Sequence, residues 1–82
     1  MEEYKQDDVV YVLEIIFCSS FKATIEPKRI AGKGRWPHTY ILKDIYSEDL
    51  DKGEYGDECF FPNMREALNK LEEIIKVYKK EV

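Results

Sequence analysis

The sequence predicts a small α+β domain in which an antiparallel sheet of three or four strands carries one C-terminal helix. Three observations predict it: a long alternating apolar run, shorter runs of the same kind after it, and a final apolar stripe with helical spacing. The chain has 82 residues and is expected to form one domain over residues 1–82, because chains divide into domains only well beyond this length. Its 44% of hydrophobic residues is too high for a disordered chain.

The first predicted strand covers residues 9–17 and is apolar at every odd position. Its odd-numbered face is therefore expected to pack in the core. Glu14 interrupts the even-numbered face, so we expect that face to be only partly covered. The apolar residues of this second face could support a homodimer or meet another partner. They are Val10, Val12 and Ile16.

The other predicted strands are shorter. A second strand is expected over 21–26, where apolar and polar residues alternate. Pro27 has no N–H to donate to a sheet, which indicates an edge position, a bulge or the end of regular pairing. Residues 28–38 contain two glycines and predict a loop that reverses the chain. A third strand follows over 39–46, and 58–61 could form a fourth.

A helix is predicted to begin after Asn63. Asparagine is a good N-cap, and Glu66 three residues later completes a pattern typical of a capping box. Apolar side chains then recur at helical spacing along one stripe, which we expect to pack on the sheet. The stripe consists of Met64, Ala67, Leu68, Leu71, Ile74, Ile75 and Tyr78.

The N-terminal sequence favours a cytoplasmic location. The first eight residues are acidic and lack the positively charged region of a secretory signal. The apolar run 9–17 is too short to span a bilayer, so no membrane partner is expected. In that compartment Cys18 and Cys59 are expected to be reduced and buried, with a disulfide between them as the alternative.

The search for catalytic residues favours a protein that is not an enzyme. His38 is the only histidine, and neither cysteine lies in a context that activates a thiol. The glycines around Lys33 lack the spacing of a phosphate-binding loop. The acidic stretch from Asp49 departs from the calcium-binding template, with its glycine one place early and Phe60 in place of the final glutamate. We therefore expect no cofactor and no metal.

Charge is the feature that points to a partner. The formal net charge of −4 conceals a basic segment, 22–38, and an acidic segment, 44–58. The acidic segment, together with an open sheet face, predicts a protein-binding surface whose carboxylates meet a basic groove, with Tyr46 and Tyr55 as anchors. The candidate residues are Asp44, Tyr46, Glu48, Asp49, Asp51, Glu54, Tyr55 and Asp57.

The basic segment supports an alternative, a small nucleic-acid-binding module that uses the basic end of the hairpin, residues 28–36. Its cations would pair with phosphates, and Trp36 would stack on an unpaired base. The candidate residues are Lys28, Arg29, Lys33, Arg35 and Trp36. Ordinary solvated loops would explain both charge runs without any partner.

The stretch from Phe21 to Leu71 resembles small uncharacterised proteins encoded by bacteriophages and mobile elements of Gram-positive bacteria. The resemblance rests on the Lys/Arg-rich turn 26–34 after an alternating strand. It also rests on the aromatic pair that leads into a Leu-x-x-Ala-Leu helix, here 60–68 with Met64 in place of the first leucine. It implies a phage or mobile-element accessory protein that blocks a host factor in a bacterial cell, as anti-CRISPR proteins do, with no catalytic residues. The partner it implies is a host protein, such as a nucleic-acid-binding enzyme.

Overall fold

A computed structural model describes residues 4–17 and 21–81. They form one five-stranded antiparallel sheet followed by one long helix. The strands are β1 (Val9–Phe17), β2 (Phe21–Lys33), β3 (Thr39–Lys43), β4 (Tyr55–Gly56) and β5 (Phe60–Phe61), and the helix is α1 (Met64–Glu81). The α+β class is as the sequence predicts, and the sheet has one short strand more than expected.

The sheet curls around one of its faces. Its strand order is β4-β3-β2-β1-β5, so the chain joins the far edge of the sheet after a single 3-10 turn. In a flat sheet, side chains on β3 and β5 would lie about 14 Å apart, since neighbouring strands are about 4.8 Å apart. The rings of Tyr40 on β3 and Phe60 on β5 instead have centroids 5.8 Å apart. The curvature encloses the space between them as a core.

The tightest core lies on the even-numbered face of β1, so the predicted ranking of the two faces is wrong. Val10 is fully buried and Val12 is 4% exposed, whereas the odd-numbered Leu13 and Ile15 are half-buried. The cause is non-local, because apolar residues from β2, β3 and β5 converge on this face. They are Ile30, Tyr40, Leu42 and Phe60, with Tyr4 and Tyr55 packed against them. Val10 and Val12 are consequently unavailable as a dimer surface.

β2 continues through Pro27 to Lys33, which corrects the predicted end of the second strand and the predicted loop. Pro27 occupies a position where β2 has a neighbour on one side only, because β3 begins to pair at Arg29. No N–H is needed on the open side, so proline interrupts nothing there. The sequence left three interpretations of Pro27 open, and the structure agrees with the edge position.

The third strand ends at Lys43, three residues earlier than predicted. Residues 44–49 form a turn instead, in which the Asp44 N–H donates to the Asp49 carbonyl at 3.0 Å. Cys59 lies in the 3-10 turn before β5 and is exposed rather than buried. Cys18, the other member of the possible disulfide, lies outside the described residues.

The start of α1 confirms the predicted capping box. The Glu66 N–H donates to Asn63 Oδ1 at 2.9 Å, and Asn63 Nδ2 donates to Glu66 Oε2 at 3.0 Å. This exchange satisfies donors that the first helical turn would otherwise leave unpaired.

α1 packs along β1 and β5, on the face opposite the tight core. Near its C-terminal end the ring of Tyr78 lies 5.3 Å from that of Phe21. Ala67 alone of the predicted stripe is fully buried, and Leu68 remains 45% exposed. The helix therefore contributes a looser layer than its periodicity predicts. No helix in 4–17 or 21–81 is long and apolar enough to cross a membrane.

Candidate functional site

The basic and acidic segments, predicted as separate surfaces, pair with each other in the structure. Lys28 Nζ lies 3.2 Å from Asp51 Oδ1, and both side chains are less than one-fifth exposed. The hydrogen bond from Lys28 to Asp51 raises the pKa of Lys28. The Tyr55 hydroxyl donates to the other carboxylate oxygen of Asp51 at 3.1 Å. Asp51 and Tyr55 therefore face the sheet rather than a partner.

Arg29 holds the acidic turn against β2. Its Nε donates to the carbonyl of Asp44 at 3.2 Å, and its Nη2 donates to the carbonyl of Ser47 at 2.7 Å. The guanidinium also lies 3.5 Å from the Glu48 carboxylate and 3.6 Å from that of Asp7. These contacts occupy the same donors that would bind a phosphate.

Lys43 is the buried charged residue at the centre of this network. Its Nζ lies 2.8 Å from Asp7 Oδ1 and 3.0 Å from Glu48 Oε2, and its side chain is 7% exposed. The hydrogen bonds that Lys43 donates to Asp7 and Glu48 raise the pKa of Lys43, and the same bonds lower the pKa of each carboxyl. Lys43 and Asp7 could not be predicted as site residues, because one lysine ending a strand and one acid near the N-terminus carry no local signal in the sequence.

The fold is expected to lose stability in acid. Hydrogen bonds from Lys43 hold the pKa of Asp7 and Glu48 below their usual values, and the Tyr46 N–H does so for Asp44. A carboxyl with a lowered folded-state pKa stabilises the fold above its unfolded-state pKa of about 4 and loses that contribution as the pH falls. We expect the free energy of unfolding in urea to be level from about pH 5 to 7 and to fall below about pH 4. A pH-independent value across the acid range would contradict the network.

Tyr46 has the most exposed large hydrophobic side chain among the described residues, at 94%. Its backbone is nevertheless held in place, because its N–H donates to Asp44 Oδ2 at 2.8 Å. The Asp49 N–H donates to Ser47 Oγ at 3.3 Å within the same turn. The phenol therefore projects from a turn whose shape is fixed by internal hydrogen bonds and by Arg29.

We refer to residues 44–50 as the tip. Besides Tyr46 it exposes Leu50, at 62%, and the side chains of Glu48 and Asp49. Glu48 remains 79% exposed even though it pairs with Lys43. Asp49 makes no ion pair with the described part of the chain. The tip thus combines an exposed aromatic ring, an exposed aliphatic side chain and accessible negative charge.

A second turn, between β2 and β3, exposes Trp36 at 65%. Beneath it the Glu54 carboxylate accepts hydrogen bonds from the Thr39 hydroxyl and from the N–H groups of Trp36 and Arg35. These bonds, that from Thr39 first, lower the pKa of Glu54. Glu54 therefore closes the turn, while the Arg35 and Trp36 side chains are exposed.

The predicted residues do not form one surface of either kind. Asp57 lies 3.6 Å from His38, and with Glu54 it sits at the Thr39 end of β3. The tip follows the Lys43 end of the same strand. The two ends of this five-residue strand lie about 13 Å apart. Lys33 is exposed at the end of β2, away from Lys28 and Arg29.

Neither metal ligands nor relatives identify the site. Within 4–17 and 21–81, no group of three or more His, Cys, Asp or Glu side chains is arranged to hold a metal ion. The chain matches no protein-family model, and comparisons with curated proteins and with solved structures give no match. The resemblance to phage-encoded proteins therefore stays a prediction.

Proposed function

We propose that this chain is a non-enzymatic binding protein that contacts a basic surface of a host protein through the tip, with Tyr46 as the anchor. One observation supports it above the others: an aromatic side chain 94% exposed on a turn that the folded domain holds in shape. Aromatic anchors carry a large share of the binding energy at protein interfaces. A turn that is ordered before binding also loses little conformational entropy on association.

The charge of the tip sets the chemistry of the partner. Glu48 and Asp49 follow the anchor with exposed carboxylates. Glu48 is paired with Arg29 and Lys43, whose side chains are largely covered, and Asp49 has no ion-pair partner among the described residues. Such a surface attracts a basic patch and repels an acidic one, which favours a partner with a nucleic-acid groove. The resemblance to phage proteins adds the proposal that this partner is a host factor, blocked in the manner of an anti-CRISPR protein.

The test compares wild-type protein with Tyr46→Ala. Wild-type protein is immobilised and exposed to a bacterial lysate, and a protein that it retains is identified, purified and titrated by calorimetry against the wild type and against Tyr46→Ala. We expect Tyr46→Ala to weaken the affinity by about 30-fold or more, as for other aromatic anchors. Trp36→Ala is the matched control, since it removes an exposed aromatic ring at the other end of β3 and should bind normally. Unchanged affinity of Tyr46→Ala for the purified partner would contradict the proposal.

A second candidate function is binding of single-stranded nucleic acid by the turn that carries Trp36. The exposed Trp36 ring beside the exposed Arg35 favours it, because a base can stack on the ring while arginine contacts a phosphate. Lys28 and Arg29 are paired within the chain and add little to this site. Trp36 is the only tryptophan, so its fluorescence should be quenched by an oligonucleotide at low salt. Unquenched fluorescence would exclude stacking there.

A further inference from the structure

The first half of β2 has an open edge. β1 pairs with β2 continuously from Phe21 to Arg29, whereas β3 pairs with β2 only from Arg29 to Lys33. Within the described chain, the position that a neighbouring strand would fill is therefore vacant beside residues 22–26. Strand edges of this kind are templates for further strands.

The backbone groups of Ala23 and Ile25 point into that vacant position. Ile30 on the same strand donates to the Asp8 carbonyl at 2.9 Å and accepts from the Asp7 N–H at 2.8 Å, so its groups face the β1 side. The direction of backbone groups alternates along a strand, and the register with β1 has no shift. Even-numbered residues of β2 therefore bond to β1, and Ala23 and Ile25 present their N–H and C=O groups outward.

We propose that this edge pairs with the same edge of a second copy of the chain, antiparallel about a twofold axis at Thr24. In this register Ala23 of one copy lies opposite Ile25 of the other. Each such pair exchanges two backbone hydrogen bonds, and the symmetry makes two pairs. The two Thr24 residues face each other without bonding, as the antiparallel pattern requires, because their backbone groups already serve β1.

The side chains along this edge are self-complementary in charge. About an axis at Thr24, Lys22 of each copy lies opposite Glu26 of the other, which gives two attractive cross-strand pairs. Both residues are exposed, and neither makes an ion pair with the described part of the chain. An axis at Ala23 or Ile25 would also satisfy the backbone but would separate these charges. Charge thus selects one register, and it selects a second copy over an unrelated strand.

The pairing also joins like surfaces. Ala23 and Ile25 are half-buried on the face that α1 covers, so the two apolar faces would become continuous across the axis. Pro27 has no N–H and marks the end of the pairing region, just before β3 takes over the same side of β2. The interface is isologous, so it closes as a dimer and does not propagate.

The test is a charge swap followed by sedimentation velocity over a range of concentrations at low salt. Lys22→Glu and Glu26→Lys, made singly, each turn two attractive pairs into two repulsive ones and should raise the dimer dissociation constant about tenfold or more. The double variant Lys22→Glu/Glu26→Lys restores both pairs in reversed sense and should return the dissociation constant to that of the wild type. Lys52→Glu, an equal charge change in an exposed loop, is the control and should leave it unchanged.

Amide hydrogen exchange adds a readout that is specific to the edge. The amides of Ala23 and Ile25 should exchange quickly in dilute protein and slowly in concentrated protein, whereas that of Thr24 should be protected in both. If the protein stayed monomeric at all concentrations up to about 1 mM, the proposal would be overturned. Lys22 and Glu26 would then be charged side chains that prevent another strand from pairing with this edge. A dimer whose Ala23 and Ile25 amides stay unprotected, or one that the double variant fails to restore, would overturn it as well.

Discussion

Phe60→Ala is expected to lower the free energy of unfolding by about 3–5 kcal/mol, the usual cost of removing a buried phenylalanine ring. Phe60 is 1% exposed, and its ring centroid lies 5.1 Å from that of Tyr4 and 5.8 Å from that of Tyr40. The substitution would leave a cavity where β1, β3 and β5 meet. Small domains are stable by only about 5–15 kcal/mol, so the variant should unfold at a much lower urea concentration, as followed by circular dichroism.

Leu71→Ala is the control that tests which face of the sheet carries the tight core. The helical stripe alone predicts a loss of about 2–5 kcal/mol for this substitution. Leu71 is only half-buried, however, so we expect about 1–2 kcal/mol. A loss from Leu71→Ala equal to that from Phe60→Ala would contradict the placement of the tight core on the face away from α1.

The second large effect is expected from Asp7→Asn/Glu48→Gln, which removes both carboxylates from Lys43. The ammonium lies 2.8 and 3.0 Å from them in a side chain that is 7% exposed. Without a carboxylate, the cost of taking this charge out of water is no longer compensated. We expect the double variant to unfold at markedly lower urea concentration than either single variant, and its stability to depend less on pH in acid.

Lys43→Met separates the role of charge from that of turn geometry. Methionine fills a similar volume and needs no counter-charge, so adding it to the double variant should recover much of the lost stability. If Asp7→Asn/Glu48→Gln were as stable as the wild type, Lys43 would not depend on its two carboxylates. If the triple variant stayed as unstable as the double variant, the carboxylates would act on the turn rather than on Lys43.

Local signals in the sequence were sufficient for the helix but not for the sheet. The start of α1 depends on Asn63 and Glu66, which lie within one turn of each other. Whether β2 continues past Pro27 depends on whether another strand needs a hydrogen bond from Pro27 on the side away from β1. That depends on where β3 begins to pair with β2, and β3 is remote from Pro27 in the sequence. The tight core depends likewise on Phe60 crossing to the edge beside β1.

The candidate site shows the same limit. The two charged segments could be predicted from the sequence, but Tyr46 was predicted to end the third strand, and the structure places it in an exposed turn instead. Their mutual pairing could not be read, because it arises from the register that sets Arg29 opposite Lys43 and brings the acidic turn beside β2. Charge counted along the chain does not indicate which charges meet in space.

A double-mutant cycle on Lys28 and Asp51 tests most directly whether the basic segment and the acidic segment neutralise each other. Their charged atoms lie 3.2 Å apart, and their side chains are 19% and 18% exposed. Unfolding free energies of the wild type, Lys28→Ala, Asp51→Ala and the double variant are predicted to give a coupling energy of about 1 kcal/mol. Additive effects, with a coupling below about 0.3 kcal/mol, would contradict the pairing and return Lys28 to the residues free to meet a nucleic acid.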